Sequence, residues 1–158
     1  MNQQHTALNN PPTALLLGRI IWAAMSLSCI IVGAMMFSMM RGDGLHTESP
    51  PERLEAGIIL AVVSIPAAFI MRGRIFKRGW MGDVVTPAAF LYGTLVSCAV
   101  CEGAFTIAMM FTFVNHFSPG FWMAPAVAFA GLLLLWPNGR AMFPPRSKPA
   151  DNSYHFKQ

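Results

Sequence analysis

The sequence predicts an all-α integral membrane protein, a four-helix bundle, from three observations. Charged residues make up only 11% of the 158 residues, while 54% are apolar; a soluble domain carries about 25% charged residues to cover its surface. The charges are bunched between long uncharged runs, as spanning helices require. Polar breaks rich in Gly, Pro and Asn separate those runs. The pI near 9.3 does not signal nucleic-acid binding. The basic residues cap apolar runs, form no continuous stripe and belong to no nucleic-acid motif. They read as topology signals and contacts to the lipid bilayer.

Residues 1–14 read as a short polar tail, ending in Asn9-Asn10-Pro11-Pro12. The first span covers 15–40. Its uncharged run from Ile20 to Met40 rises ~31 Å, enough for the hydrocarbon core and too long for a signal peptide's apolar region. Arg41-Gly42-Asp43-Gly44 closes it. The second span, 55–71, is short and contains Pro66; Arg72, Arg74, Lys77 and Arg78 follow in a loop over 72–86. The third span, 87–114, would rise ~42 Å as a helix and so must tilt or project. Asn115-His116-Phe117-Ser118-Pro119-Gly120 reads as a turn. The fourth span, 121–136, is closed by Pro137-Asn138-Gly139, and 138–158 reads as a polar, disordered tail.

The 72–86 loop holds four basic residues, and so does the C-terminal tail (Arg140, Arg146, Lys148, Lys157). The first loop has Arg41 and Arg53, diluted by Asp43, Glu48 and Glu52, and the turn between spans three and four has none. The positive-inside rule then predicts a multi-pass protein of the inner (plasma) membrane with both termini cytoplasmic. A three-span alternative lays the short second segment in the interface, but puts the two basic groups on opposite sides.

Two local matches recur at one offset. Ala34-Met35-Met36-Phe37-Ser38 resembles Ala108-Met109-Met110-Phe111-Thr112, and Ala56-Gly57-Ile58-Ile59-Leu60 resembles Ala130-Gly131-Leu132-Leu133-Leu134. The offset maps span one onto span three and span two onto span four, as a duplicated helical hairpin would. Chance matching in a small apolar alphabet gives the same pattern. Under duplication, Ser28 and Glu102 are equivalent positions at one depth.

Glu102 is the most informative residue. It lies near the middle of the third span, where a carboxylate costs ~2.5–3.5 kcal/mol on insertion scales and so faces protein or water. It is the candidate proton- or ion-binding group, with Ser28 and Thr94 as companions. The structural alternative is a hydrogen bond across helices, worth ~1 kcal/mol. Cys98 and Cys101 form a C-x-x-C on the same helix face as Glu102, which makes them the redox candidates. They lie ~16 Å beyond the start of their span, and no second pair stands ready to relay electrons, so packing competes strongly. Cys29 also lies inside an apolar run. No metal site is indicated, since His5, His46, His116 and His155 fall in loops or tails. Arg19 is placed to snorkel to the headgroups, and the Met clusters read as adaptable filler. No catalytic constellation, phosphate loop, dinucleotide fingerprint or zinc spacing is present; nothing points to an enzyme or to a cofactor.

Val100-Cys101-Glu102-Gly103-Ala104 resembles the carboxylate-bearing helix of rotary-ATPase proteolipid (c) subunits, which implies proton binding at Glu102. The chain lacks that family's Gly-x-Gly-x-Gly ladder, and its Arg-Gly-Arg-Ile-Phe-Lys-Arg segment replaces the Arg-Gln-Pro turn. Over most of its length the chain looks more like a group of uncharacterised small four-helix bacterial inner-membrane proteins. The shared features are Gly18-Arg19-Ile20-Ile21, Cys101-Glu102-Gly103-Ala104 and Leu135-Trp136-Pro137-Asn138. That group brings no assigned activity. The expected role is a non-enzymatic accessory or oligomeric membrane subunit, partnered by itself or another membrane subunit. Proton or cation conduction through Glu102, and thiol redox chemistry at Cys98 and Cys101, are the alternatives.

Overall fold

The structure, a computed structural model, describes residues 10–43, 51–114 and 122–143, with side chains for all of these except 40–43 and 51–57. The expectations for residues 1–9, for the turn at 115–120 and for the tail beyond Phe143 lie outside the described residues.

Four helices carry the fold: α1 (Pro11–Asp43), α2 (Pro51–Arg78), α3 (Pro87–Val114) and α4 (Met123–Leu134). The first three each open on a proline. Its fixed φ suits the first helical position, and its missing N–H is one that no helix start can pair. α1 therefore begins at Pro11, inside the segment read as a tail, and Ala14 is already buried.

α2 also differs from the sequence expectation. It runs on through Pro66 and past Met71 to Arg78. Pro66 removes one bond from the ladder without ending the helix, and the basic cluster extends the last two turns in place of a loop. The connection to α3 is a small hairpin of β1 (Trp80–Met81) and β2 (Val84–Val85), with Trp80 opposite Val85. Gly82, at φ 62°, and Asp83 form its two-residue turn.

α1, α2 and α3 are each long and apolar enough to cross a membrane. Only 11% of the most apolar stretch of α1 and 17% of that of α2 is buried, against 44% for α3. Apolar helices turned outward over most of their surface, with Leu27, Ile30 and Ile31 on α1 and Ile59, Val62 and Val63 on α2 exposed, are solvated by lipid tails and not by one another. The chain is an all-α membrane protein.

α3 is the central element. It packs against α2, α1 and α4, while α1 and α4 approach each other closely at few points. Its buried face carries Phe90, Thr94, Ser97, Cys98, Cys101, Phe105, Ala108, Met109 and Thr112. A larger core gathers Cys29, Ala61, Ala68, Ala104, Ala128 and Leu132 around that face, and a smaller one holds Ala14, Val85, Phe90 and Met142 at the end where α1 begins.

α4 has 12 residues and so rises only ~18 Å, short of the ~30 Å hydrocarbon core. The chain then leaves the helix, and a 3-10 turn at Arg140–Met142 buries Met142 against the start of α1 and the hairpin. The first residues of the expected C-terminal tail are thus packed. The same break limits the duplication: α4 is less than half the length of the 28-residue α2 onto which the repeat maps it.

Candidate functional site

Two places in the bundle gather polar chemistry within apolar surroundings. The first is the middle of α3. Glu102 stands at the edge of the helix's buried face: Cys98 and Phe105 on one flank are buried, while Ala99 and Thr106 on the other are exposed. Its side chain is half-buried, and among the described residues its carboxylate takes part in no hydrogen bond or ion pair. Its backbone carbonyl accepts a hydrogen bond from Thr106 Oγ1 at 2.9 Å. Cys29 on α1 is buried in the same core as Cys98 and Cys101.

The three cysteines are free and buried. Cys98 and Cys101 are 0% and 1% exposed, and a Cβ added at Gly131 of α4 would stand 3.6 Å from Cys101 Sγ. Cys101 therefore fills the α3–α4 contact and Cys98 lies in the same closed core, where thiolate attack on an external disulfide has no approach. Among the described residues no His, Cys, Asp or Glu group is arranged to hold a metal ion.

The other companions do not converge on Glu102. Ser28 is exposed on α1. Thr94 is fully buried with its hydroxyl unpartnered, and eight residues of helix put it ~12 Å from Glu102 along α3.

The second place is the end of α4. A helix that stops within a bilayer exposes carbonyls that no water can satisfy. Here three of the carbonyls around the helix end have donors. Leu132 O accepts Leu135 N at 3.2 Å and the Trp22 indole Nε1 of α1 at 2.9 Å. Leu133 O accepts Trp136 N at 3.3 Å. Leu135 O accepts the Arg72 guanidinium of α2 at 3.3 Å. Trp22 meets Trp136 edge-on at 4.7 Å between ring centroids, Arg19 lies 5.6 Å over the Trp136 ring, and Arg72 lies 5.2 Å over Phe76. Two arginines thus face the negative end of a helix dipole.

Sequence reasoning placed Arg72 in a loop, and so missed this arrangement. The signal that could have found it is Pro137-Asn138-Gly139 directly after a short apolar run. Pro137 bars the helix from continuing, and the freed carbonyls must then find donors elsewhere.

Fold and site together define a membrane protein whose fourth helix is broken and capped from α1 and α2, with one unpartnered carboxylate midway along its central helix. Comparison with known protein families, curated proteins and solved structures finds no match in any of the three.

Proposed function

We propose that this chain is a non-enzymatic subunit of a membrane assembly, and that the face carrying Glu102 meets a second copy of the chain. The observation that supports this is the half-buried carboxylate itself. A mid-membrane carboxyl facing lipid is costly, and such groups normally face protein or water. Arg72, another charge in the apolar body, has partners within the monomer; among the described residues the Glu102 carboxylate has none. Thr106, one turn along the same helix, carries an exposed hydroxyl, so two copies related by a two-fold axis could exchange carboxyl–hydroxyl hydrogen bonds in which the Thr106 oxygen accepts, its own O–H being held by the Glu102 carbonyl. The outward apolar surfaces of α1 and α3 suit such helix contacts.

The test is self-association of two differently labelled copies, read by energy transfer in lipid vesicles. Wild type should associate. Glu102→Gln, which keeps hydrogen-bonding groups, should associate comparably. Glu102→Leu should associate roughly eightfold more weakly, the scale of the two symmetry-related interhelical hydrogen bonds at ~0.6 kcal/mol each. Energy transfer at the random-collision level for all three would refute the reading.

A second reading, proton or cation passage, is favoured by the same half exposure, since a carboxyl at a subunit seam can exchange with water. It agrees with the resemblance to proteolipid subunits around Glu102. It separates cleanly from the first: Glu102→Gln would abolish flux into liposomes while leaving association intact.

For location we infer the inner membrane with the basic end cytoplasmic. Arg19, Arg72, Arg74, Lys77, Arg78 and Arg140 cluster where α1 begins, α2 ends and the 3-10 turn sits, and Asp83 is the one acidic residue there among those described. This supports the orientation expected from the loop charges.

A further inference from the structure

The outward face of α2 changes character along its length. Val63, Ile70 and Met71 are exposed, and three- and four-residue steps carry the same face onward to Arg74, Lys77 and Arg78. All three cations are exposed, and among the described residues none takes part in an ion pair or a side-chain hydrogen bond. Arg72, by contrast, is turned toward Leu135 and Phe76, so the internal cap leaves the cations of this stripe unused. The stripe is apolar for ~12 Å of helix and then basic for ~6 Å.

The hairpin beyond the stripe is held firmly. Gly79 N donates to Phe76 O at 3.0 Å, Thr86 N donates to Gly79 O at 2.9 Å, and Ala89 leaves no room for a Cβ at Gly79. The hairpin presents Trp80 and Met81 outward, and the 3-10 turn carrying the exposed Arg140 packs against β2. A fixed, exposed tryptophan beside cations suits the headgroup layer, which is apolar on one side and wet on the other.

Charge alone would suit any polyanion. The continuity of the stripe selects among them. A nucleic acid or an acidic protein segment would use Arg74, Lys77 and Arg78 and leave Val63, Ile70 and Met71 without a role. A molecule with hydrocarbon at one end and an anion at the other uses both parts. The bilayer adds ~5–7 Å of headgroup on each side of its hydrocarbon core, which matches the basic stretch.

We propose that this stripe is a binding surface for an anionic glycerophospholipid. Its phosphate accepts charge-assisted hydrogen bonds from Arg74, Lys77 and Arg78, and its acyl chains lie along Met71, Ile70 and Val63. Trp80 fixes the depth at which the headgroup sits. The surface belongs to a different helix from Glu102, and its readout does not depend on self-association.

The test offers delipidated protein in mild detergent equal amounts of dioleoyl phosphatidylglycerol and dioleoyl phosphatidylcholine, and native mass spectrometry counts each lipid on the monomer. Wild type should bind phosphatidylglycerol in preference. Lys77→Gln should reduce that preference roughly fivefold, the scale of one cation near an anionic surface, and Arg74→Gln/Lys77→Gln/Arg78→Gln should abolish it. Arg74→Lys/Arg78→Lys keeps the charge and should retain most of it. Glycerophosphoglycerol, the same headgroup without tails, and a short polyglutamate should fail to displace the lipid at equal concentration. No preference in the wild type, or an unchanged preference in the triple variant, would overturn the proposal. So would displacement by glycerophosphoglycerol, which would make the stripe a free-phosphate site, or by polyglutamate, which would make it an acidic-protein surface. The substituted side chains are exposed and Gln is a good helix former, so the variants should keep their helicity by circular dichroism; if the triple variant does not fold, Lys77→Gln decides the matter alone.

Discussion

Arg72 and Glu102 are both ionisable groups within apolar helices, and the chain treats them in opposite ways. Arg72 spends one guanidinium N–H on Leu135 O and lies over the Phe76 ring, so its charge is held where a helix ends. Arg72→Met keeps the apolar stem but leaves the Leu135 carbonyl in need of a donor. It should destabilise the fold by ~1–3 kcal/mol, the cost of a buried polar group left unsatisfied. Arg72→Lys keeps the charge but not the planar face over Phe76 and should cost less. Unfolding in mixed detergent micelles with increasing SDS measures both, and equal midpoints for wild type and Arg72→Met would remove the capping role. The cysteines give a second residue-scale test. With Cys98 and Cys101 buried in the core, maleimide should label them only after denaturation, and Cys98→Ala should fold. Rapid labelling of folded protein would restore the thiol redox reading that burial disfavours.

The element that most rewards attention to backbone chemistry is α4. Its end is defined by donors from α1 and α2, and the chain beyond it turns at Gly139, whose φ of 74° lies in the left-handed region. A Cβ there would stand 2.9 Å from Leu15 Cδ1. Gly139→Ala should therefore lose ~1–2 kcal/mol through backbone strain and crowding together, and Trp22→Phe ~1 kcal/mol through its lost hydrogen bond. If the two losses are independent, the double variant should lose their sum; a coupled break would give a different total in the same SDS titration. The existence and span of α3 were legible in the sequence, because its long apolar run is bounded by Pro87 and by Asn115. The outward apolar faces of α1 and α2 were legible for the same reason. What was not legible was how far each helix ran past its apolar core. Local charge ended the expected second span at Met71, yet Lys77 and Arg78 favour a helix C-terminus and prolong it. Glu102 stood out as the one acidic residue amid apolar neighbours. The Trp22–Arg72 cap did not, because its partners are distant in sequence and one of each pair is a backbone carbonyl, which carries no sequence signature.

At the scale of the whole molecule, the two ends of the bundle are chemically unlike. One gathers the start of α1, the basic end of α2, the hairpin with exposed Trp80 and Met81, and the 3-10 turn. The other holds the ends of α1 and α3 and the start of α2 and α4, and the described chain puts no basic side chain on α3's last turn or α4's first. Met142 packs with Ala14, Val85 and Phe90, so the segments leading to both termini meet at one end whatever the length of α4. This links topology to packing: a chain with α4 on the wrong side would have to extract Met142 and break the Leu135–Arg72 bond as well. Positive charge near span ends orients a polytopic chain, and here that charge and the core of the basic end select the same arrangement. A C-terminal fusion should therefore report the cytoplasm, and a reporter inserted at 44–50 the opposite side. Neutralising Arg74, Lys77, Arg78 and Arg140 to Gln should not give full inversion, because Arg19 and Arg72 remain and the packed end still has to form; a minor inverted fraction is expected by protease protection. Complete inversion of the quadruple variant would mean that loop charge alone sets the topology. A C-terminal reporter outside the cytoplasm in the wild type would mean that α4 and its broken end do not bring the chain back to the side on which α1 begins.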